Sequence, residues 1–122
     1  MKVLLSIKPE YSEQIYSGQK RYEFRKSIFS KDVQTVVIYT TMPVGKVTGE
    51  FTVKTVHSGP PRDIWVLARE FAGVPWRFFF KYFHGRKQAY AIEVNEVTQY
   101  PEPLDLSEVM GAGSPPQSFR YL

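Results

Sequence analysis

The sequence predicts an α+β domain built around a small curled sheet or barrel. Its 122 residues suffice for one compact domain and are too few for two, so residues 1–122 are predicted to form a single domain. Hydrophobic residues make up 43% and charged residues 23% of the chain, which is typical of a globular protein. Five or six strand-like segments occur with short helical segments between them, and three strands follow one another directly. This order disfavours a doubly wound α/β fold, whose strands alternate regularly with long helices.

The first predicted elements are a buried strand, a short helix and a second strand. Residues 3–7 form an apolar run of strand length. Pro9 fits the first turn of a helix because its missing N–H would have no partner there, and Gly18 fits the residue that ends the helix. Residues 20–26 alternate between aromatic and charged side chains, which predicts a strand with one buried face.

The middle of the chain predicts three more strands and two helices. Residues 33–41 are rich in β-branched side chains, and residues 46–56 and 87–98 alternate along the chain as strands do. Residues 63–71 carry apolar side chains at helical spacing. Residues 75–83 begin with a proline, and Gly85 follows shortly after them, which also predicts a helix.

The C-terminal part of the chain predicts less regular structure. Pro101 and Pro103 predict an extended break after the last long strand. Residues 105–110 predict a short turn or helix, and the glycine- and proline-rich residues 111–116 predict a loop. Residues 117–122 predict a final extended segment.

The positive charge of the chain is concentrated in one short segment. The net charge is +4, and residues 18–31 carry five basic residues and one acidic residue, so the remainder is neutral. A second cluster, residues 77–87, has four basic residues and no acid. Basic surfaces attract phosphates because binding releases counterions, whereas an isolated charge run is usually a solvated face. The first segment therefore indicates a phosphate-binding function, and the second leaves both interpretations open.

Composition excludes several classes of function. The chain has no cysteine, which excludes a disulfide scaffold, a thiolate metal site and a cysteine nucleophile. His57 and His84 lie far apart in sequence without ligand-like neighbours, so no metal site is predicted, and no motif predicts a cofactor. No apolar run approaches the roughly 18 residues of a membrane helix. The chain is predicted to be soluble and cytoplasmic, with no membrane partner.

The segment around Lys20 carries the strongest chemical signal. Lys20 follows Gly18 at the entrance of the predicted strand, and Glu23 comes three residues later. Arg21 and Arg25 share the strand face of Glu23. Either Glu23 holds the lysine in an orienting ion pair, or partial burial lowers the lysine pKa so that it acts as a base or nucleophile. An exposed, salt-bridged strand face is the structural alternative, and spacing alone does not decide.

Two motifs near the N-terminus resemble the ASCH domain family of the PUA-like superfamily. They are residues 5–11, LSIKPEY, and residues 15–25, IYSGQKRYEFR. The Gly-x-Lys-x-x-Glu signature of that family corresponds to Gly18, Lys20 and Glu23. The resemblance extends to later strand and C-terminal residues, and it covers nearly the whole chain.

The resemblance implies a small PUA-like barrel of mixed or antiparallel strands, with two to four short helices around it. A cleft beside the barrel would be lined by Lys20 and Glu23, and would bind RNA. One branch similar to this family hydrolyses N4-acetylcytidine with a lysine, a threonine and a glutamate. The lysine corresponds to Lys20, but the threonine position holds Glu23, which supplies no hydroxyl. Other members of the family are ribonucleases.

Three functions therefore stay open. The first is an RNA- or nucleotide-binding domain. The second is a small hydrolase of a modified nucleoside or of RNA, with Lys20 as general base or charge stabiliser and Glu23 orienting it or carrying protons. The third is a protein-interaction module with an acidic partner. The residues predicted to bind nucleic acid are Lys8, Lys20, Arg21, Arg25, Lys26, Arg86, Lys87 and Arg120.

Overall fold

The computed structural model describes residues 1–122 and contains one six-stranded sheet. In chain order the strands are β1 (Lys2–Ile7), β2 (Tyr22–Arg25), β3 (Thr35–Thr40), β4 (Lys46–Gly59), β5 (Ala89–Leu104) and β6 (Phe119–Tyr121). Across the sheet they lie in the order β2-β5-β4-β3-β1-β6. Strands β1 and β3 are parallel, and all other neighbouring pairs are antiparallel. The predicted α+β class with a mixed sheet is confirmed.

Four α-helices and one short 3-10 turn pack around this sheet. They are α1 (Pro9–Ser17), α2 (Pro61–Ala68), the turn Arg69–Phe71, α3 (Trp76–Tyr82) and α4 (Leu106–Met110). Helix α1 begins at a proline and ends at Gly18, whose φ of 85° is left-handed, as the sequence predicts. Helix α4 begins with a capping box between Asp105 and Glu108. None of the helices combines the length and the apolar composition that crossing a bilayer requires.

The sheet curls because its two longest strands are irregular. The register of β4 on β5 shifts between Val47 and Gly49 and again on either side of Val53. Such bulges increase the local twist of a strand. The curl brings β2, the strand at one end of the sheet, close to β1 and to the residue before β6 at the other end. There Arg25 of β2 donates from Nη2 to the carbonyl of Ser6 at 3.0 Å and from Nη1 to the carbonyl of Ser118 at 3.4 Å. The result is an incomplete barrel with side chains inside it.

Three clusters of buried apolar side chains hold the fold together. The largest fills the inside of the curl and includes Ile92 of β5. The second packs α2 and α3 against the outer face of β2 and β5, and includes Phe24, Phe79 and Ala91. A small third cluster lies beneath α4. Because successive strand residues point to opposite faces, Ala91 and Ile92 belong to different clusters. This packing fixes α3 beside β2.

One prediction about the sheet is wrong. Pro101 and Pro103 predict a break, yet β5 continues to Leu104. In the register of β4 and β5, residues 100–103 face Thr48 alone, because Gln99 pairs with Gly49 and Leu104 pairs with Val47. A bulge leaves backbone N–H groups outside the ladder, so proline is tolerated there. The other predicted strands and helices are present, with ends that differ by a few residues.

Candidate active site

A cleft lies between α3, the edge strand β2 and the start of α1. Its volume is about 200 Å³. Pockets for drug-sized ligands measure roughly 300–1,000 Å³, so this cleft suits one small planar group and its substituents. The residues that line it are Ser6, Ile7, Lys8, Tyr11, Lys20, Glu23, Phe24, Arg25, Val74, Phe78, Phe79 and Tyr82.

The ammonium group of Lys20 is buried in the wall of the cleft. Lys20 is only 2% exposed. Its Nζ donates a hydrogen bond of 2.6 Å to the carbonyl of Ala72. The same atom lies 4.6 Å from the ring centroid of Phe24 and 5.3 Å from that of Tyr11. One carbonyl and two ring faces therefore hold the ammonium in position.

This environment changes the acid–base behaviour of Lys20. Burial lowers the pKa of Lys20 from its ordinary value of 10.5, the Glu23 carboxylate opposes that shift, and Arg25 adds to it. A larger fraction of this lysine is therefore neutral near physiological pH than of an exposed lysine. The neutral amine accepts a proton, whereas the charged form stabilises an anion.

Glu23 pairs with Arg25 and forms no ion pair with Lys20. Its Oε2 lies 3.1 Å from Arg25 Nη2, and the two side chains are only 10% and 13% exposed. The same guanidinium donates to the carbonyls of Ser6 and Ser118, at 3.0 and 3.4 Å. Of the two uses that the sequence left open for Glu23 and Lys20, the orienting ion pair is not formed. Arg25 instead links the Glu23 carboxylate to Ser6 in β1 and to Ser118 just before β6.

Aromatic rings form the wall of the cleft that faces these charges. Phe78 and Tyr82 lie four residues apart on α3, and their rings are nearly parallel, at 7° with centroids 6.4 Å apart. Phe78 also meets Tyr11 edge to face at 6.1 Å. It is 40% exposed, so part of its ring borders the open cleft. An exposed ring beside cationic groups is a surface on which a nucleobase stacks.

Two tyrosines and a serine bring hydroxyl groups to the cleft. Burial raises the pKa of Tyr11 and of Tyr82, so both keep their protons at neutral pH. Ser6 Oγ donates to the carbonyl of Pro116 at 2.7 Å, which ties the C-terminal loop to β1. The cleft thus holds hydrogen-bond donors as well as cations.

Comparison with known proteins establishes the family. Residues 5–110 match the ASCH domain family. The chain belongs to this family. An ASCH domain-containing ribonuclease of Zymomonas mobilis is 30% identical over 122 residues, which cover 98% of this ASCH chain and 82% of that relative.

Solved structures confirm the fold of this ASCH domain. The crystal structure of the ASCH protein of Zymomonas mobilis matches with a TM-score of 0.91 and 27% identity, covering 99% of this chain and 87% of that one. A tyrosine-to-phenylalanine variant of that protein matches with the same TM-score at 26% identity, covering 89% of its chain. The PUA-like barrel that the resemblance implied is therefore confirmed.

Two longer relatives from Ureaplasma parvum contain a similar stretch. A protein named ATP synthase subunit alpha is 30% identical, and the large ribosomal subunit protein uL22 is 29% identical, each over 98% of this ASCH chain. The chain spans only 15% and 39% of their respective lengths. The likeness therefore concerns a segment of each, and their names describe the whole proteins.

The predicted nucleic-acid-binding residues of this ASCH domain separate into three groups. Lys8, Lys20 and Arg25 line the cleft. Lys26 lies at the rim, where its Nζ is 4.7 Å from the ring centroid of Tyr82. The remaining four are outside the cleft lining: Arg21, Arg86, Lys87 and Arg120.

The position of Arg21 differs from the strand face that alternation predicts. Strand β2 begins only at Tyr22. The backbone N–H of Arg21 instead donates to the carbonyl of Phe71 at 2.8 Å, and its guanidinium lies 5.4 Å from the Phe71 ring centroid. Arg86 and Lys87 are exposed on the turn after α3, and Arg120 is exposed on β6. Arg21 is therefore packed on an aromatic ring outside the cleft.

The sequence does not identify the aromatic wall as part of the site. Phe78 and Tyr82 reach the cleft because the buried cluster that contains Phe79 packs α3 against β2, a contact between distant parts of the chain. Ser6 and Tyr11 could have been identified as site candidates from the sequence, since both lie within residues 5–11, the first motif of the family resemblance.

Proposed function

We propose that this ASCH domain binds RNA in its cleft and cleaves it as a ribonuclease. The observation that carries the proposal is Lys20, a buried amine that shares a small cleft with Arg25 and an aromatic wall. The relative named as a ribonuclease, which is similar over nearly the whole chain, supports the same activity. The proposal combines the first two functions that the sequence left open, and a cytoplasmic location stays a prediction.

Binding in this proposal uses opposite walls of the cleft for different parts of one nucleotide. A nucleobase stacks on Phe78 and Tyr82, a contact worth roughly 1–3 kcal/mol per base. Lys8 and Arg25 attract the phosphate. The Glu23 carboxylate accepts hydrogen bonds from the base edge. Stacking requires a free base face, so the strand is unpaired at this position.

Cleavage in this proposal uses the 2′-hydroxyl of RNA as the nucleophile. Its oxygen bonds to the adjacent phosphorus while the bond from that phosphorus to the 5′ oxygen of the next nucleotide breaks, which gives a 2′,3′-cyclic phosphate and a 5′-hydroxyl. The neutral amine of Lys20 accepts the proton of that hydroxyl, and general base catalysis of this kind contributes about 10²–10⁴-fold to a rate. The Arg25 guanidinium stabilises the charge that develops on the phosphate. The Tyr11 hydroxyl, which keeps its proton, donates to the leaving oxygen.

Hydrolysis of N4-acetylcytidine and binding of an acidic protein gain no specific support. Glu23 stands where the amidohydrolase branch has its threonine, and its carboxylate is paired with Arg25. No observation identifies a protein partner. N4-acetylcytidine therefore serves as a comparison substrate in the test.

The test incubates the folded protein with an unstructured RNA oligonucleotide, with the all-DNA oligonucleotide of the same sequence, and with N4-acetylcytidine. We expect cleavage of RNA alone, because DNA lacks the 2′-hydroxyl. The variant Lys20→Met lowers the cleavage rate at least roughly 100-fold, as expected on removal of a general base. Lys2→Met is the matched control, since Lys2 is a half-exposed lysine on β1 whose partner is Glu50.

Lys20→Arg separates the roles of charge and of proton transfer. Arginine keeps the positive charge but has no neutral form at working pH. We expect this variant to bind RNA and to cleave it poorly. Equal cleavage by the unsubstituted protein and by both Lys20 variants, all folded by circular dichroism, contradicts the assignment of Lys20. The absence of any RNA product from the unsubstituted protein contradicts the ribonuclease proposal.

A further inference from the structure

We propose that the solvent-facing flank of α3, formed by Arg77 and Lys81, is a second binding surface that holds phosphates of the RNA strand where it leaves the cleft. This inference rests on the proposed function, because it follows the same strand beyond its first nucleotide. The surface is outside the cleft and is called the α3 flank below.

Helix α3 presents two parallel rows of side chains. Phe78 and Tyr82 form the row that lines the cleft. Arg77 and Lys81 also lie four residues apart and precede them by one position, so their row is turned by about 100° around the helix. Both residues of this second row are exposed. A strand stacked on the first row therefore passes beside the second row as it leaves toward solvent.

The charges of the α3 flank are not neutralised by neighbouring acids. Residues 71–92 contain four lysines and arginines and no aspartate or glutamate. Neither Arg77 nor Lys81 belongs to any ion pair of the structure. The flank is therefore a locally positive surface, as residues 18–31 also are, and it is complementary to a polyanion.

An exposed tryptophan adjoins this positive surface. The guanidinium of Arg77 lies 5.8 Å from the ring centroid of Trp76, and Trp76 is 58% exposed. Lys26 stands over Tyr82 at the rim of the cleft, so aromatic rings of α3 are bordered by cations at both Trp76 and Tyr82. Cations interleaved with exposed rings are the combination that single-stranded nucleic acid uses, through phosphate contact and stacking. Continuity with the cleft favours the RNA strand as the occupant over an acidic protein.

The test compares ligands that do and do not reach the α3 flank. A dinucleotide fills the cleft only, whereas a long unstructured RNA oligonucleotide also covers the flank; both carry 2′-O-methyl groups to prevent cleavage. Affinities are measured over a salt series for the unsubstituted protein and for the double variant Arg77→Gln/Lys81→Gln. The matched control is Arg62→Gln/Arg69→Gln, which removes the same charge from exposed positions on α2 and the turn after it.

We expect the α3 variant to bind the long RNA more weakly, with a slope of log affinity against log salt that is smaller by about 1.4, or about 0.7 per lost phosphate contact. Its dinucleotide affinity stays unchanged, and the control variant matches the unsubstituted protein for both ligands. An unchanged long-RNA affinity, an equal loss in the control, or a loss of dinucleotide binding in the α3 variant overturns the inference. The proposed function of the cleft stands in each of these cases as long as the unsubstituted protein binds the dinucleotide. Failure of the unsubstituted protein to bind either RNA overturns the proposed function as well.

Discussion

Burial of Lys20 lowers the stability of the fold, whereas the proposed chemistry requires its amine in this position. Burial of a lysine that is 2% exposed costs the hydration energy of its charge, and here a carbonyl, two ring faces and the nearby Glu23 carboxylate offset part of that cost. A purely structural position would carry an apolar side chain of the same length. A lysine kept in such a place indicates a functional requirement for its amine.

Replacement of this lysine by methionine tests that opposition. We expect the free energy of unfolding of Lys20→Met to equal that of the unsubstituted protein or to exceed it by up to about 2 kcal/mol. The reason is that an apolar side chain of similar volume replaces a buried charge. The comparison uses urea denaturation at neutral pH. A loss of several kcal/mol in this variant would show that the ammonium holds the fold together through Ala72.

The lowered pKa of Lys20 also predicts the pH dependence of cleavage. The amine must be neutral to accept a proton, so the rate rises with pH through the pKa of Lys20, at a pH below the ordinary value of 10.5. Tyr11 and Tyr82 do not interfere, because burial raises the pKa of each above its ordinary value of 10.0. A rate that does not rise with pH anywhere below pH 10.5, in the range where the protein is folded, would contradict a base role for Lys20.

At the scale of elements, the turn before α3 sets the position of this amine. Gly73 has a φ of 72°, and a Cβ at this residue would lie 2.5 Å from Gln14 Oε1 and 2.9 Å from Lys20 Cβ. The neighbouring residue Ala72 accepts the hydrogen bond from Lys20 Nζ. The turn therefore needs both the backbone freedom of glycine and the absence of a side chain.

Gly73→Ala is expected to move Lys20 and to lower cleavage together with stability. Gly85→Ala is the matched control, because Gly85 has a similar φ of 77° and open space around its Cβ position. Alanine in a left-handed backbone destabilises both variants by roughly 1–2 kcal/mol. Only Gly73→Ala is destabilised further, because its Cβ collides with Gln14 and Lys20. Equal free energies of unfolding in the two variants would show that the close packing around Lys20 is relaxed in solution.

Strands β4 and β5 carry a pair that makes stability depend on pH. His57 Nε2 lies 2.8 Å from Glu93 Oε1, and this bond lowers the pKa of Glu93 below its ordinary value of 4.5. A depressed carboxyl pKa contributes stability that is complete above the unfolded value and is lost as pH falls through the folded one. We expect urea denaturation to show a smaller loss of stability below pH 4.5 in Glu93→Gln. An identical acid dependence in that variant would contradict the role of the pair.

The elements themselves were largely predictable, because each depends on local chemistry. Pro9 and Gly18 mark the ends of α1, and the alternation over residues 46–56 and 87–98 marks β4 and β5. The continuation of β5 through Pro101 was not predictable, since it depends on a bulge in its pairing with β4. The sequence also placed Glu23 and Arg25 on one strand face, but it did not show that this pair is buried, because the burial depends on contacts of Arg25 with Ser6 and Ser118 in distant parts of the chain.

At the scale of the whole molecule, the cleft exists because the sheet curls and α3 is packed on its outer face. Arg25 hydrogen-bonds from β2 to β1 and to the segment before β6, so it bridges the gap in the incomplete barrel. The same residue lines the cleft. The aromatic wall comes from a helix more than fifty positions away from Lys20 in the sequence. Packing between segments so far apart in the sequence cannot be inferred from local sequence patterns, so the aromatic wall could not be predicted.

The most direct test of the central claim is a crystal structure with a 2′-O-methyl RNA oligonucleotide bound. We predict a base against Phe78 and Tyr82, with the adjoining 2′ oxygen within hydrogen-bonding reach of Lys20 Nζ and a phosphate beside Arg25. An oligonucleotide bound elsewhere, with the cleft free of RNA at saturating concentration, would contradict the account.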